Sequence, residues 1–505
     1  MRNQNTSVQQ GAGSERRDAA PRPDNQGEGL APVIPFSRYT DFGRRWPVPS
    51  KGEILVAPIG GIGRIGMNWT LYGHDGRWLL VDAGIAFPGH EDGDDVDAIV
   101  PDPDALLPIL GRLDGLVVTH GHEDHIGAIA KLWPTKINCP VWATPFAAAL
   151  IERRLEEAGT AAAVDLRRFR PGDSFAVGPF GVRSVRMTHS IPEPVAFAIS
   201  TRVGTVVHTG DWKIDPTPVI GLPPDYEALA ELGDAGVLAV LADSTNAHRT
   251  GRSGSEASTA EAFRHLFTSR SGMVAVCCFS SNIARIAVVA QEAARAGRHA
   301  AIAGRSMRSN ELTARELGLL DGFPEFLAEP GHLCGLSRNE MVLLCTGGQG
   351  DERAALNRLA NGDWRLPRLE SGDTVVLSGR TIPGNEGAVG RIVAKLKKRG
   401  VEVVAADALF DGAPVQVSGH PTRDDLETLY GLLRPKVAIP VHGGYTHQEA
   451  HAALARSCGA EKVPCLEEGE IVKLTAKATT VIGRVDVPQL NLVREEEERR
   501  SRRRG

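Results

Sequence analysis

The chain has 505 residues, of which 42% are hydrophobic and 24% charged, and this length allows roughly two to four soluble domains. Its formal net charge of −5 argues against a surface that is basic throughout, but it allows a local basic channel for nucleic acid. The sequence has no run of about 18 apolar residues, no secretory signal and no C-x-x-C pair among its seven cysteines, so we expect a cytoplasmic protein with reduced thiols and no membrane span.

The first segment, residues 1–50, is rich in Gln, Asn, Gly, Pro and Arg, and we expect a disordered or loosely attached extension. Beyond it, short apolar runs such as Glu53–Ala57, Trp78–Asp82 and Gly115–Thr119 alternate with Gly-rich turns and helical patterns such as Ile283–Ala296. This alternation predicts an α/β fold with covered sheets. The chain closes with a Glu block and an Arg block, which favours a solvated helix end or tail, with a basic tail that touches RNA as the alternative.

Polar side chains stand where five of the apolar runs end. They are Asp82, His120, Asp211, Asp243 and His442. Sites built from loops at one edge of a sheet show this pattern. Decoration of the surface does not explain it well, so we expect these five residues to belong to one site.

The segment from His120 to His125 offers the strongest chemical signal. His120 and His122 are two residues apart in an extended segment, so their side chains point to the same side. Asp124 and His125 follow where the chain turns. The alternative without a metal is a His-rich surface turn. Imidazole and carboxylate are ligands of zinc and of similar metals, however, and four of them within six residues favour a metal site.

Three later residues complete the ligands of a two-metal site. His189, Asp211 and His442 could each be a satisfied core or turn residue when taken singly. Together with the central loop they supply a third histidine, a bridging carboxylate and a last histidine. We therefore expect a hydrolase with two metal ions.

Taken together, these residues resemble the motifs of a known superfamily. The residues that match the five metallo-β-lactamase motifs are, in order, Asp82, His120-x-His122-x-Asp124-His125, His189, Asp211 and His442. Asp243, His420 and His442 resemble the three motifs of the β-CASP branch, whose members are nucleases that act on RNA or DNA. Stretches such as Gly60–Asn68, Gly304–Met307 and Cys345–Gly350 narrow the resemblance to the ribonuclease J family.

This resemblance implies a metallo-β-lactamase αββα sandwich with an inserted β-CASP α/β domain. The implied segments are the extension 1–50, the first part of the metallo-β-lactamase domain 51–255, the β-CASP domain 256–423, the last part of the metallo-β-lactamase domain 424–480, and a short C-terminal tail 481–505. Relatives often carry a further C-terminal domain that helps dimerisation. We expect it to be shortened or absent here, which leaves open whether the chain forms a homodimer or a tetramer.

The resemblance also implies a role for each site residue, with two Zn²⁺ per chain and Mn²⁺ accepted by the same ligands. One zinc would take His120, His122 and His189, and the second would take Asp124, His125 and His442, with Asp211 as the bridge. Asp82 would orient a ligand from behind. Asp243 and His420 are candidates for proton transfer to the leaving 3′ oxygen or for holding the scissile phosphate, and sequence does not decide between them.

The residues expected to contact substrate are Ser281, Asn282, Arg305, Ser418, Gly419 and His420, with Arg285 as a further cation for RNA phosphates. Glycine turns present backbone N–H groups to phosphate, although glycines more often only make tight turns. The implied activity is zinc-dependent 5′→3′ exonuclease cleavage of 5′-monophosphorylated single-stranded RNA, with endonuclease action left open. Its setting would be rRNA processing and mRNA decay, with degradosome proteins as partners.

There are three alternative functions, two of them enzymatic and one non-catalytic. A small-molecule metallo-hydrolase such as a thioesterase is disfavoured by the long insert that carries Asp243 and His420. A DNA-directed β-CASP nuclease is disfavoured because such relatives tend to replace the last histidine, and His442 is present. A non-catalytic RNA-binding subunit of a degradosome is disfavoured because every expected ligand is intact.

Overall fold

The structure is a computed structural model, and it describes residues 39–88, 93, 95–363, 367–382 and 384–493. The expectations for residues 1–38 and for the Glu and Arg blocks from residue 494 onward lie outside the described residues. No helix in these described ranges combines the length and the apolar character that crossing a membrane requires.

The β-strands of the described residues are, in chain order, β1 (Thr40–Gly43), β2 (Ile54–Gly60), β3 (Trp69–His74), β4 (Arg77–Val81), β5 (Val96–Pro101), β6 (Leu113–Val117), β7 (Val141–Ala143), β8 (Leu166–Arg168), β9 (Ser174–Val177), β10 (Phe180–Arg186), β11 (Val195–Thr201), β12 (Gly204–His208), β13 (Val237–Asp243), β14 (Val274–Cys277), β15 (His299–Ala303), β16 (Met341–Cys345), β17 (Thr374–Leu377), β18 (Glu402–Val404), β19 (Leu409–Phe410), β20 (Ala413–Pro414), β21 (Val437–Val441), β22 (Glu470–Leu474), β23 (Thr479–Val485) and β24 (Gln489–Val493).

The α-helices of the described residues are α1 (Leu107–Leu110), α2 (Glu123–Ile126), α3 (Ile129–Leu132), α4 (Pro145–Glu157), α5 (Tyr226–Ala235), α6 (Thr259–Ser269), α7 (Ile283–Arg295), α8 (Arg305–Glu316), α9 (Ala355–Asn361), α10 (Glu386–Lys398), α11 (Arg423–Leu433) and α12 (Tyr445–Ser457).

Two sheets pack face to face. The first has nine strands in the order β1-β23-β22-β2-β3-β4-β6-β7-β8, and the second has six in the order β21-β13-β12-β11-β10-β9. The core between them contains Tyr72 and Leu79 from the first sheet and Phe197 and Leu241 from the second. Alternate residues of each strand point to this inner core, as the pleat requires.

Helices cover the outer face of each sheet. On the first sheet, Phe146 and Ile151 of α4 belong to the same buried cluster as Leu80 of β4. On the second sheet, α5, α11 and α12 pack against Val240 of β13. The layers therefore run helix, sheet, sheet, helix, which confirms the αββα sandwich.

A third sheet is inserted into this sandwich. Its five strands are parallel, in the order β15-β16-β14-β17-β18, and the segment that carries them leaves after β13 and returns before β21. Both faces of β14 are covered, since Val276 packs with α6 and α7, whereas Ala275 packs with α9 and α10. Coverage on both faces explains why Val274–Cys277 is a continuous apolar run. The inserted α/β domain is thereby confirmed.

The chain ends depart from the expected extension and tail wherever they are described. β1 pairs in parallel with β23, and β24 pairs antiparallel with β5. Residues within 1–50 and 481–505 therefore add strands to the fold. Such short segments show little alternation of their own, because their backbone groups are satisfied by strands more than 380 residues away in the chain.

Candidate metal centre

Five strands bring polar side chains to one end of the sandwich. Asp82 and His442 directly follow β4 and β21, and Asp243 is the last residue of β13. His120 and Asp211 lie three residues beyond β6 and β12. All five are buried, and the structure brings them together with the remaining residues expected to bind metal.

The first group of donor atoms comes from His120, His122, His189 and Asp211. Nδ1 of His122 lies 3.0 Å from Nε2 of His120 and 3.1 Å from Nε2 of His189. Oδ2 of Asp211 lies 3.9 Å from each of these two Nε2 atoms. Three imidazole nitrogens thus converge on one point beside a carboxylate.

The second group comes from Asp124, His125, Asp211 and His442. Nε2 of His125 lies 3.3 Å from Oδ2 of Asp211, and Nε2 of His442 lies 3.2 Å from Oδ2 of Asp124. The same Oδ2 atom of Asp211 therefore belongs to both groups. Oδ1 of Asp211 is buried and has no hydrogen-bond partner among the described residues, although Nδ1 of His442 lies 3.3 Å away. An unsatisfied buried carboxylate oxygen of this kind fits a site for a cation.

Four of the histidines share one arrangement, in which Nδ1 meets an acceptor behind the ring and Nε2 faces the centre. The contacts of Nδ1 are Thr119 Oγ1 at 3.0 Å for His120, Asp82 Oδ2 at 2.7 Å for His125, the Gly419 carbonyl at 2.6 Å for His189 and Thr245 Oγ1 at 3.0 Å for His442. The two hydroxyls are free to accept because each donates its own proton to a carboxylate, Asp82 or Asp243. Such outer contacts fix the tautomer and leave the Nε2 lone pair for a metal.

Electrostatics match this arrangement. Burial and the neighbouring imidazoles lower the pKa of His120 well below its usual value, and burial lowers the pKa of His122 to about 4. Burial opposes ionisation of Asp211, but the imidazoles of His442 and His125 outweigh it and lower the pKa of Asp211 to about 2. Burial also opposes protonation of His125 and His442, but the neighbouring carboxylates, Asp211 first, outweigh it and raise the pKa of His125 well above its usual value and the pKa of His442 to about 10. The cluster thus combines imidazoles with ionised carboxylates, which is the donor set that zinc and related metals take, and a metal bound there would displace the protons of His125 and His442.

Asp82 lies behind His125 and not within either donor group. Its Oδ1 accepts from the backbone N–H of Thr119 and its Oδ2 from the Thr119 hydroxyl, both at 2.8 Å, in addition to His125. Asp82 and His442 both have positive φ, 60° and 51°. Such backbone conformations cost free energy in residues other than glycine and concentrate at functional sites.

Asp243 and His420 form a pair at the rim of the centre. Nδ1 of His420 lies 2.7 Å from Oδ2 of Asp243, and its side chain is 24% exposed, whereas Asp243 is fully buried. Burial lowers the pKa of His420, but Asp243 outweighs burial and raises it. Of the two residues, His420 alone reaches solvent, while Asp243 holds it in place.

The Ser418–Gly419–His420 turn also makes hydrogen bonds and packing contacts with other residues of the protein. Ser418 Oγ accepts from the side-chain amide of Asn246 at 2.9 Å and from the backbone N–H of His420 at 3.1 Å. A Cβ atom on Gly419 would lie 2.8 Å from Cε1 of His189, so only glycine fits this close approach. The turn therefore supports a metal-facing histidine directly.

The residues expected to contact RNA in the inserted domain lie at the carboxyl edge of its sheet. Ser281 is half-buried, and Arg305 is exposed at the start of α8. Asn282 is buried and caps α7, and its amide donates to Glu256 at 3.2 Å. Arg285 is 1% exposed, because it pairs with Glu256 at 2.7 Å. The expectation that Arg285 pairs with RNA phosphates is therefore wrong.

Several residues at the centre and beside it were not predicted from the sequence. Thr119 and Thr245 were not predicted as site residues. Thr119 directly precedes His120, and Thr245 lies two residues after Asp243, and both of these neighbours were predicted. A polar cavity of about 320 Å³ adjoins the Ser418 turn, and three arginines are among its lining residues, namely Arg249, Arg252 and Arg380. These cations come from separate segments, so no local motif signals them.

Comparison with known sequence families gives three matches. The family described as "Ribonuclease J, beta-CASP domain" matches residues 271–396. The "Beta-lactamase superfamily domain" matches residues 77–251, and the "Zn-dependent metallo-hydrolase RNA specificity domain" matches residues 413–466. The inserted sheet and the sandwich thus match different families.

Similar proteins cover most of the chain. "Ribonuclease J" of Sinorhizobium meliloti is 41% identical over 436 residues, which are 85% of this chain and 76% of that protein. "Ribonuclease J" of Mycolicibacterium smegmatis is 38% identical over 453 residues, or 88% and 79% of the two chains. A crystal structure from Enterococcus faecalis V583, titled a protein of unknown function, has a TM-score of 0.57 at 16% identity and covers 84% of this chain and 100% of that chain. It shares the fold.

Proposed function

We propose, from the premise that this chain belongs to the ribonuclease J family, that it degrades single-stranded RNA stepwise from a 5′-monophosphorylated end. The chain is a metal-dependent hydrolase that acts on RNA. The observation that carries the proposal is the pair of donor groups that share Oδ2 of Asp211 beside the Asp243–His420 pair. RNA maturation and decay in the cytoplasm are the proposed setting.

Two zinc ions fit the donor groups. We propose that His120, His122 and His189 hold one ion and that Asp124, His125 and His442 hold the other, with Asp211 shared. The fit rests on the four outward-held Nδ1 atoms and on the unpartnered Oδ1 of Asp211. Metal ions bound there would supply positive charge that neutralises phosphate oxygens and makes water more acidic.

The chain's own residues then orient substrate and move protons. Asp243 occupies Nδ1 of His420, so the Nε2 atom of His420 is the one free to reach substrate. We propose that His420 donates its Nε2 proton to the leaving 3′ oxygen and that Asp243 positions it. Asp82 fixes the ring of His125 in the same way from behind the centre.

The cavity beside the Ser418 turn is the proposed place for the terminal phosphate. Arg249, Arg252 and Arg380 line it together with Ser418. Arginine is well suited to phosphate because its planar group donates two parallel hydrogen bonds. We propose Ser281 and Arg305, at the carboxyl edge of the inserted sheet, as further contacts for the RNA strand.

The test compares RNAs of one sequence, labelled at the 3′ end, that carry a 5′-monophosphate or a 5′-triphosphate, with and without chelator. We expect stepwise loss from the monophosphorylated end, slower loss from the triphosphate, and none with chelator. Internal cuts alone would overturn the exonuclease direction. Intact RNA in the presence of metal-loaded protein would overturn the function.

A matched pair of histidine variants tests the centre. His122→Ala removes a converging nitrogen of the first donor group, so we expect cleavage to fall by at least about a thousandfold while the fold is retained. His265→Ala removes an exposed histidine that contacts Asp411 in the inserted domain, and it should cleave normally. The measurement is the cleavage rate of each purified variant. Normal cleavage by His122→Ala would contradict the assignment of His122 as a metal ligand.

A further inference from the structure

Helix α4 lies between two loops that serve the proposed reaction. One is the metal loop, His120–His125, and the other is the edge loop, Ser280–Asn282, at the carboxyl end of β14. α4 belongs to the sandwich, yet it packs against α8 of the inserted domain. Its neighbouring residues Arg153 and Arg154 each make contacts toward one of the two loops.

Arg153 connects α4 to the edge loop. Its Nη2 donates to Oδ1 of Asn310 at 3.1 Å, and its Nη1 donates to the hydroxyls of Ser309 and Thr313 on α8. The amide nitrogen of Asn310 donates in turn to the carbonyl of Ser280 at 3.0 Å. Asn310 is buried, so both ends of its amide are fixed within the protein.

Arg154 connects α4 to the metal loop. Its Nη1 donates to Oε2 of Glu123 at 2.5 Å, and its Nη2 donates to Oε1. Glu123 stands between His122 and Asp124, and its carbonyl accepts from Gly127 at 2.8 Å and from Ile85 at 3.1 Å. A two-pronged pair of this kind fixes orientation as well as distance. Arg154 therefore holds the segment from which two metal-facing side chains project.

We propose that Arg153 and Arg154 are positioning residues that make α4 a strut between the edge loop and the metal loop. Hydrogen bonds run from Ser280 through Asn310 to Arg153 and from Arg154 to Glu123, and the backbone of α4 joins the two arginines. By thermodynamic reciprocity, RNA held at the edge loop steadies the metal loop, and bound metal steadies the edge loop. The RNA half of this statement rests on the proposed function.

The first readout is metal release, which needs no RNA. Arg153→Met keeps the aliphatic stem and removes the donors to α8, although Arg153 touches no metal-facing residue. We expect chelator to remove metal from this variant about 2- to 30-fold faster than from the parent. Arg153→Lys should lie between them, since the single ammonium nitrogen of lysine cannot reproduce both guanidinium nitrogens that donate to α8. Glu152→Gln, on the same helix, removes a surface contact with Arg168 and should match the parent.

The second readout is amide hydrogen exchange at His125 and Gly127, whose N–H groups bond to carbonyls inside the metal loop. Arg153→Met should speed exchange there as well as in α8. If exchange rises in α4 and α8 alone and metal release is unchanged, Arg153 has a local role and the strut is refuted. If both readouts change but the parent leaves RNA intact, the strut stands and the proposed function fails.

A double-mutant cycle tests the connection through the helix. The substitutions Arg153→Met and Glu123→Gln remove contacts with different partners. If the two residues act independently, the fold-changes in the rate of metal release should multiply in the double variant. The strut predicts that the double variant releases metal no faster than about the worse single variant. Multiplying effects would overturn the proposal.

Discussion

At the scale of single residues, the Thr119 side chain sets the orientation of two histidines without binding metal. Its hydroxyl donates to Asp82 and meets Nδ1 of His120, while Asp82 meets Nδ1 of His125. His120 belongs to one donor group and His125 to the other. One hydroxyl therefore connects both halves of the centre.

Thr119→Val tests this role, because valine has nearly the same shape and lacks the hydroxyl. We expect metal affinity to fall about 10- to 100-fold, since outer partners of ligating histidines have effects of this size. Thr144→Val is the matched control, because the Thr144 hydroxyl is buried and finds no hydrogen-bond partner in the part of the chain that the structure describes. Competition with a chelating dye measures both variants. Equal affinity of Thr119→Val and the parent would contradict the role.

The arginines of the cavity give a second prediction. Arg249→Gln and Arg380→Gln should each raise KM for 5′-monophosphorylated RNA about tenfold, because a hydrogen bond to a charged group contributes about 1.5–3 kcal/mol. The preference over 5′-triphosphorylated RNA should shrink, while kcat changes little. Arg183→Gln, at an exposed arginine that pairs with Glu231, serves as control. An unchanged preference in both cavity variants would exclude the cavity as the phosphate site.

The residues that could be predicted from sequence are those whose signal is local. The segment from His120 to His125 predicts a metal site because four potential ligands fall within six positions. Arg285 could not be read correctly, since an arginine on a helix is usually exposed and its buried partner Glu256 lies 29 positions away. Thr119 gave no signal because threonine is common at strand ends and its contacts depend on the fold.

At the scale of elements, a buried cluster of charges joins the inserted domain to the sandwich. Glu256 precedes α6 and pairs with Arg285 of α7. Lys213, just beyond the metal-facing Asp211, donates to the carbonyl of Gly254 at 3.0 Å, and Asp215 accepts from the backbone N–H of Glu256 at 3.2 Å. The junction is thus held by charged groups that water does not reach.

Glu256→Gln should destabilise the protein by about 3–5 kcal/mol, because it leaves Arg285 buried without its partner charge. Glu261→Gln removes a partner from Arg264 at the surface of α6 and should cost less than about 1 kcal/mol. Denaturant unfolding of both variants provides the comparison. Equal stabilities would show that the buried pair contributes nothing to the junction.

The elements themselves were predictable where they are long and periodic. The apolar run of β14 and the amphipathic pattern of α7 need no distant partner to be recognised. β1 and β24 were missed because each is short and largely exposed, and each is defined by its pairing with β23 or β5. Local propensity does not encode such pairings.

At the scale of the whole molecule, metal binding and folding are linked. The metal-facing residues come from segments between His120 and His442, so the donor groups exist only in the folded chain. A ligand present at about 100 times its Kd stabilises the folded state by about 2.7 kcal/mol. Excess chelator should therefore lower Tm by about 2–4 °C, because the entropy of unfolding is about 2.1 cal/mol/K per residue and the chain has 505 residues.

Calorimetry with and without chelator measures this shift. His122→Ala, which lacks one converging nitrogen, should show a smaller shift than the parent. A parent that loses its metal completely at unchanged Tm would contradict the link between metal binding and folding.

The inserted domain leaves after Asp243 and the chain returns at β21, next to β13 in the same sheet. About 200 residues therefore separate two side chains whose atoms lie 3.4 Å apart, Oδ1 of Asp243 and Nδ1 of His442. A ribosome adds about 5–20 residues per second. For roughly 10–40 s of synthesis, the nascent chain therefore contains His120 to Asp243 but lacks His442. The topology thus imposes an order of assembly, because the second donor group is complete only after the whole insert has been made.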